Sequence, residues 1–246
     1  MHVWGEGINL RTTTDENGNF YLHDVWGTKK VKMKIGDAPG KLKIVPDAET
    51  IAEKQACVGY EDVELKGNKL RFKKEGMGIE LGAVAKGYIA DRIADFLKAE
   101  KVTSALINLG GNVLTFGPAL HNPDHKWRIG IQNPKETRNT NLMVLAIRDK
   151  SVVTSGIYER TFEIDGKTYH HIFNSQTGYP VSSDLASLTI ISSLSVDGEI
   201  WTTRLFGSSL EHIFQEVSSQ AELEAIIVDK DNHCFQTGGI YKMRIS

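Results

Sequence analysis

Four stretches of this 246-residue chain set polar side chains beside glycines in otherwise apolar surroundings, where loops tend to carry function. The first is Glu80-Leu-Gly-Ala-Val-Ala-Lys86-Gly87. A glycine at a helix start lets backbone N–H groups approach an anion, and the helix dipole favours phosphate there. Lys86 adds a positive charge one turn in, although a capped helix with a solvated lysine explains the same residues. The second is Asn108-Leu-Gly110-Gly111-Asn112, whose paired glycines permit positive φ or close approach to a ligand. A tight turn explains them equally well. The third runs Tyr169-His170-His171-Ile172-Phe-Asn174-Ser-Gln-Thr177-Gly178-Tyr179-Pro180. In a strand the two histidines point to opposite faces, so one can face a pocket and take a proton from a hydroxyl near neutral pH. The fourth is Glu199-Ile-Trp-Thr-Thr203. At i and i+4 on a helix a carboxylate and a hydroxyl share one face, and two hard oxygens so placed suit Mg²⁺. A surface Glu with a buried Thr is the plainer account.

Other signals fail. His121 and His125 have metalloprotease-like spacing, but Pro123 lies between them and no Glu follows the first. Thr154-Ser155-Gly156 is not a nucleophile elbow, and no Walker or dinucleotide fingerprint occurs. With 29 Lys+Arg against 31 Asp+Glu, no basic field points to nucleic acid. Cys57 and Cys234, far apart in sequence, exclude a disulfide framework and read as two free thiols. No window holds the ~18 apolar residues of a membrane span. Residues 1–9 lack the basic and apolar regions of a signal peptide and any lipid-accepting cysteine. The sequence as it stands therefore predicts a cytoplasmic protein, or an extracytoplasmic lipoprotein if an upstream segment was removed.

The elements that must position these residues are mostly short strands. Residues 1–45 are the least readable, with a hairpin turn expected at Asn17-Gly18 and loose alternation from Val31 to Val45. A helix is predicted from Asp47 to about Val58, and a hairpin over Val63–Phe72 turning at Gly67-Asn68. Apolar residues Val84, Tyr88, Ile89, Ile93, Phe96 and Leu97 predict one buried face of a helix over Ala83–Ala99. Strands follow at Val102–Leu109, Leu142–Ile147 and Ser151–Thr154, with a hairpin across Arg160–Ile172 turning at Asp165-Gly166. Next come a strand at Leu185–Ser192, helices at Val196–Leu205 and Ser209–Val217, and strands at Ala225–Val228 and Ile240–Ile245. Dominant hairpins with interspersed helices favour an α+β fold of largely antiparallel sheets.

In this order the four segments resemble the ApbE family of magnesium-dependent flavin transferases. The family's Asp-Leu-Gly-Gly-Ile-Ala-Lys-Gly-Tyr is similar to Glu80 through Tyr88, extending to Asp91, and its Ala-Leu-Val-Asn-Leu-Gly-Gly-Asn to Ala105–Asn112. Trp127–Gln132, Ser151–Arg160 and His171–Pro180 resemble three further family motifs. The likeness covers roughly residues 46–246, which it marks as a flavin transferase domain. Ahead of it, residues 1–45 form an N-terminal part shorter than the family's, with Val25-Trp-Gly27 similar to a family turn.

The resemblance implies transfer of FMN from FAD to a Thr or Ser hydroxyl of an acceptor protein, with release of AMP. It assigns Mg²⁺ to the Ala83 carbonyl, the Glu199 carboxylate and the Thr203 hydroxyl. Glu80 and Lys86 take FAD-contact positions, and His171 is the residue that activates the acceptor hydroxyl. Asn108, Gly110, Gly111, Ile172, Thr177 and Gly178 would line the flavin and phosphate cleft. The chain departs from the family at Glu80 and Glu199, where the family has Asp, and at Asn174-Ser175, where it has Asp-Pro. Two alternatives use the same residues: an FAD pyrophosphatase giving FMN and AMP, and a flavin-binding module without turnover.

Overall fold

Where the sequence alternates around two-residue turns, the backbone pairs with itself. The computed structural model describes residues 2–5, 8–11, 19–23, 30–34, 45–137, 140–156, 161–164 and 166–245. The chain forms two units, residues 1–47 with 162–168 and residues 48–161 with 169–246. In the first unit β1 (His2–Gly5) pairs antiparallel with β2 (Ile8–Arg11), and β3 (Asn19–His23) with β4 (Lys30–Lys34). The expected turn at Asn17-Gly18, residues 35–44 of the alternating stretch and Val25-Trp-Gly27 lie outside the described residues.

The second unit opens with α1 (Ala48–Gln55), which ends three residues before Val58 as i→i+3 bonds from Cys57 and Val58 tighten its last turn. The hairpin of β5 (Val63–Lys66) and β6 (Lys69–Phe72) turns at Gly67-Asn68, as the sequence predicts. Residues 82–84 form a turn, so α2 (Ala85–Ala99) begins two residues later than expected. Then come β7 (Ala105–Leu109), β8 (Asn112–Phe116), β9 (Trp127–Gln132), β10 (Asn141–Ile147) and β11 (Ser151–Gly156). A hairpin of β12 (Thr161–Ile164) and β13 (Lys167–His170), whose residues 162–168 belong to the first unit, flanks Asp165-Gly166; Gly166 takes the positive φ of 73° that such a turn requires, and Asp165 is outside the described residues. The chain continues with β14 (Leu185–Ser192), α3 (Ser195–Leu205), α4 (Leu210–Ser218), β15 (Glu224–Asp229) and β16 (Cys234–Gln236).

Six strands form one antiparallel sheet in the order β16-β15-β14-β11-β8-β7. All eight side chains of β14 are buried, because its run of apolar and small residues is covered on both faces. On one face Val152, Ile191 and Ile226 pack with Ile129, Ile131, Met143 and Leu145 of the β9–β10 hairpin. On the other, Leu188, Ile190 and Ile227 meet Leu205 and Phe206 of the α3 end and Ile213 and Val217 of α4. The architecture is the antiparallel α+β arrangement read from the sequence. Both cysteines are free thiols, and among the described residues no helix is long and apolar enough to cross a membrane.

Two expectations are corrected. The buried face of α2 is not its large apolar stripe but Gly87, Ala90, Asp91 and Ala94, with Ile93 and Leu97 half-buried. Tyr88, Ile89 and Phe96 are exposed, and at Gly87 close approach to the Ser195 backbone leaves no room for a side chain. Ile240–Ile245 is not a strand: Gly238–Lys242 is a 3₁₀ turn that plugs Ile240 into the core. Glu224 holds that turn by accepting from Thr237 and from the Gly239 N–H, and only an isolated bridge at Leu145–Arg244 follows.

Candidate active site

Helix α2 reaches the start of α3 because position 87 has no side chain. A Cβ there would lie 2.5 Å from the Ser195 carbonyl oxygen, well inside contact distance. Four residues on, buried Asp91 accepts the backbone N–H groups of Ser195 and Val196 at 2.8 and 2.9 Å. It thereby caps α3, whose own N-cap residue, Leu194, supplies no side-chain bond. Gly198 brings α3 onto β11, since a Cβ there would lie 2.6 Å from Val153 Cγ2.

This packing brings Glu199 to the first turn of α2. Its side chain is 5% exposed, and its Oε1 accepts from the Lys86 ammonium at 2.6 Å and from Asn112 Nδ2 at 2.8 Å. Asn112 Oδ1 in turn accepts from Ser195 Oγ at 2.6 Å. Thr203, one turn along α3 from Glu199, is exposed, and Ala83 sits in the turn just before α2, three residues from Lys86. A buried carboxylate, a hydroxyl and a backbone carbonyl are hard oxygen donors, a set that fits a small divalent cation. Asp197 does not join them. It stands about 200° around the helix from Glu199, and burial, then the negative charge of Asp91, raise its carboxyl above the usual range.

The other candidates are held locally. Glu80 Oε1 accepts the Gly82 N–H at 2.7 Å, an approach that a Cβ at Gly82 would block. Gly110 and Gly111, at φ 63° and 95°, form the turn between β7 and β8, and Asn108 Oδ1 accepts the Gly111 N–H at 2.9 Å. Asn174 closes the next loop, its Oδ1 accepting from the Gln176 and Thr177 N–H groups and its carbonyl from Gly178. Thr177 Oγ1 accepts the Tyr179 N–H, and Gln55 of α1 donates to the carbonyls of Ser175 and Gln176. Ile172 packs into the helix-side core.

The two histidines divide, but not within one strand: β13 ends at buried His170, and exposed His171 lies in the bend just beyond it. His170 Nδ1 accepts the Ile172 N–H at 3.3 Å, so Nε2, 3.1 Å from the Val181 carbonyl, carries the proton. Burial is the main cause holding its pKa below the ordinary histidine value.

Sequence reasoning missed the parts played by Asn112, Ser195 and Asp91. Asp91 left a readable trace, a carboxylate at helical spacing among the small residues Gly87, Ala90 and Ala94.

A second group of ligand-type atoms, from Asp229, Asp231 and His233, lies within 4.8 Å. Those atoms are explained by the β15–β16 turn, where Asp229 accepts the Asp231 and His233 N–H groups and faces His233 Nδ1.

The model of the ApbE family matches residues 21–227. The chain belongs to the ApbE family. It is 43% identical over 189 residues to an FAD:protein FMN transferase of Klebsiella pneumoniae, covering 76% of this chain and 57% of that protein. A Treponema pallidum protein of the same name is 32% identical over 209 residues, 80% of this chain and 58% of the relative. The chain thus spans less than two thirds of either ApbE relative. Among solved structures, the Thermotoga maritima ApbE protein superposes with a TM-score of 0.73 at 27% identity, covering 82% of this chain and 65% of that one. The apo flavinyl transferase ApbE of Pseudomonas stutzeri gives 0.65 at 27% identity over 79% and 59%.

Proposed function

We propose that this chain transfers the FMN half of FAD to a Thr or Ser hydroxyl of an acceptor protein, with Mg²⁺ present and AMP released. The observation that carries the reading is the buried Glu199 carboxylate lying 2.6 Å from Lys86 at the opening of α2. It joins an anion-attracting helix start to a cation-binding carboxylate, the pair of features a diphosphate substrate demands.

In this reading the acceptor hydroxyl oxygen attacks the FMN phosphorus, the bond from that phosphorus to the AMP phosphate oxygen breaks, and AMP leaves with the bonding electrons. His171 takes the hydroxyl proton. Its neighbour cannot, because both ring nitrogens of His170 are committed to backbone groups. Lys86 offers the diphosphate a solvent-accessible positive charge, its side chain being 48% exposed. Mg²⁺, held by the Ala83 carbonyl, Glu199 and Thr203, supplies charge neutralisation at the diphosphate. Glu80, Asn108, Gly110, Gly111, Ile172, Thr177 and Gly178 line the cleft for the flavin and phosphates.

The test is incubation of the chain with FAD, Mg²⁺ and a Thr-containing acceptor, followed by in-gel flavin fluorescence and chromatography of AMP. Labelled acceptor with stoichiometric AMP is expected. FMN and AMP without labelling would make water the acceptor, and no product at all would leave the family membership without this activity.

A further inference from the structure

We infer that Asn112 is a positioning residue: it braces Glu199 in the conformation that receives a cation, and Ser195 orients Asn112 for that task. The inference rests on Glu199 being a cation ligand, as proposed above, and extends it to residues outside the ligand set. Glutamate has one rotor more than the aspartate of the family pattern, so its carboxylate needs a second fixed contact to occupy one place. Lys86 supplies it poorly, because its own side chain is half-exposed and an ion pair with a solvated partner contributes little.

Asn112 supplies it well. It is buried at 3% exposure at the first position of β8, paired with Leu109 of β7. Its amide has one orientation consistent with both neighbours. Oδ1 accepts the Ser195 hydroxyl at 2.6 Å and Nδ2 donates to Glu199 Oε1 at 2.8 Å. A flip would set Oδ1 against the carboxylate. Ser195 is fixed in its turn by the bond from its backbone N–H to Asp91. The brace therefore runs from α2 through the start of α3 to β8 and back to Glu199, with every member buried. Partners that orient a metal ligand typically contribute 10–100-fold to metal affinity.

Mn²⁺ titrated calorimetrically into the full chain tests this, at a temperature where circular dichroism shows every variant folded. Asn112→Leu, close in size and without donor or acceptor, is expected to weaken Mn²⁺ binding about ten-fold or more. Ser195→Ala is expected to weaken it by a smaller factor. The double variant should bind no worse than Asn112→Leu, because Ser195 acts through Asn112. Unchanged affinity in Asn112→Leu, or additive losses in the double variant, would overturn the brace while leaving Glu199 as ligand. Should Asn112→Leu fail to fold, Ser195→Ala decides alone, and wild-type affinity in it overturns the proposal. Absence of Mn²⁺ binding to the wild-type chain, even at millimolar ion, would overturn the cation reading itself.

Discussion

Asp91, in the middle of α2, accepts the Ser195 N–H at 2.8 Å across 104 residues of sequence. With the second bond to Val196, one carboxylate on one helix closes the N-terminus of another. Both helices bear on the site, α2 through Lys86 and α3 through Glu199, so this cap sets the distance between them.

Asp91→Ala leaves two N–H groups at the buried start of α3 without that acceptor. A lost cap costs about 0.5–2 kcal/mol and an unmade buried bond about 1–3. Urea unfolding should show a loss of about 2–3 kcal/mol, and Asp91→Asn, which keeps one acceptor, should lose less.

Gly87→Ala separates helix propensity from packing. Alanine ordinarily favours a helix by about 1 kcal/mol over glycine. Here the new methyl would press on the Ser195 carbonyl, and the backbone has no rotamer by which to yield. Overpacking, about 1–3 kcal/mol, should win over propensity. A net drop in melting temperature by calorimetry is expected, and a rise would mean α2 can slide away from α3 freely.

These two residues show which parts of the molecule were open to reading from letters alone. Hairpins at Gly67-Asn68 and around Gly166, the central strand and the capped helix starting after Ser209 were legible because their signals are local. The segments around Glu199 and Lys86 were legible as motifs. Their meeting was not, because Asn112, Ser195 and Asp91 touch their partners across 83 to 105 positions. The face of α2 was misread for a related reason. Periodicity reports where large apolar residues recur, whereas the face that packs holds Gly87, Ala90 and Ala94, and at Gly87 the neighbouring backbone leaves no room for a side chain.

His170 should make stability depend on pH. Its pKa is lowered by burial first, with smaller contributions from the charges of His171 and Lys230, while the Val181 bond works the other way. The unfolded chain, titrating near 6.5, takes up the proton before the folded one does. Stability is therefore full above about pH 6.5 and falls as pH drops toward the lowered folded value. Urea midpoints between pH 8 and pH 5 should decline, and His170→Gln should flatten that part of the slope.

Gly178→Ala tests whether the Asn174–Pro180 loop is packed or merely permissive. Gly178 sits at φ 70°, and an added Cβ would lie 2.6 Å from Ile51 Cγ2 of α1. Strain in the left-handed region and displacement of α1 act together, for a cost of about 1–3 kcal/mol. Because Thr177 and His171 border the same loop, the proposed FMN transfer should fall by more than the population of unfolded chain accounts for. Equal losses in transfer and folded fraction would detach the loop from the reaction.

Lys86→Met sets two effects against each other. The ammonium pairs with the Glu199 carboxylate that would hold the cation, so its removal should favour cation binding; it would also face the proposed diphosphate, so its removal should weaken FAD binding. Half-exposure decides the first magnitude. An ion pair with one solvated partner contributes about 1 kcal/mol at most, so Mn²⁺ affinity should rise no more than about five-fold. The second is larger, since a charge-assisted bond to phosphate contributes about 1.5–3 kcal/mol. Transfer should thus fall through a raised KM for FAD while Mn²⁺ binds as well or better, and a loss of Mn²⁺ affinity would show Lys86 supporting Glu199 rather than competing for it.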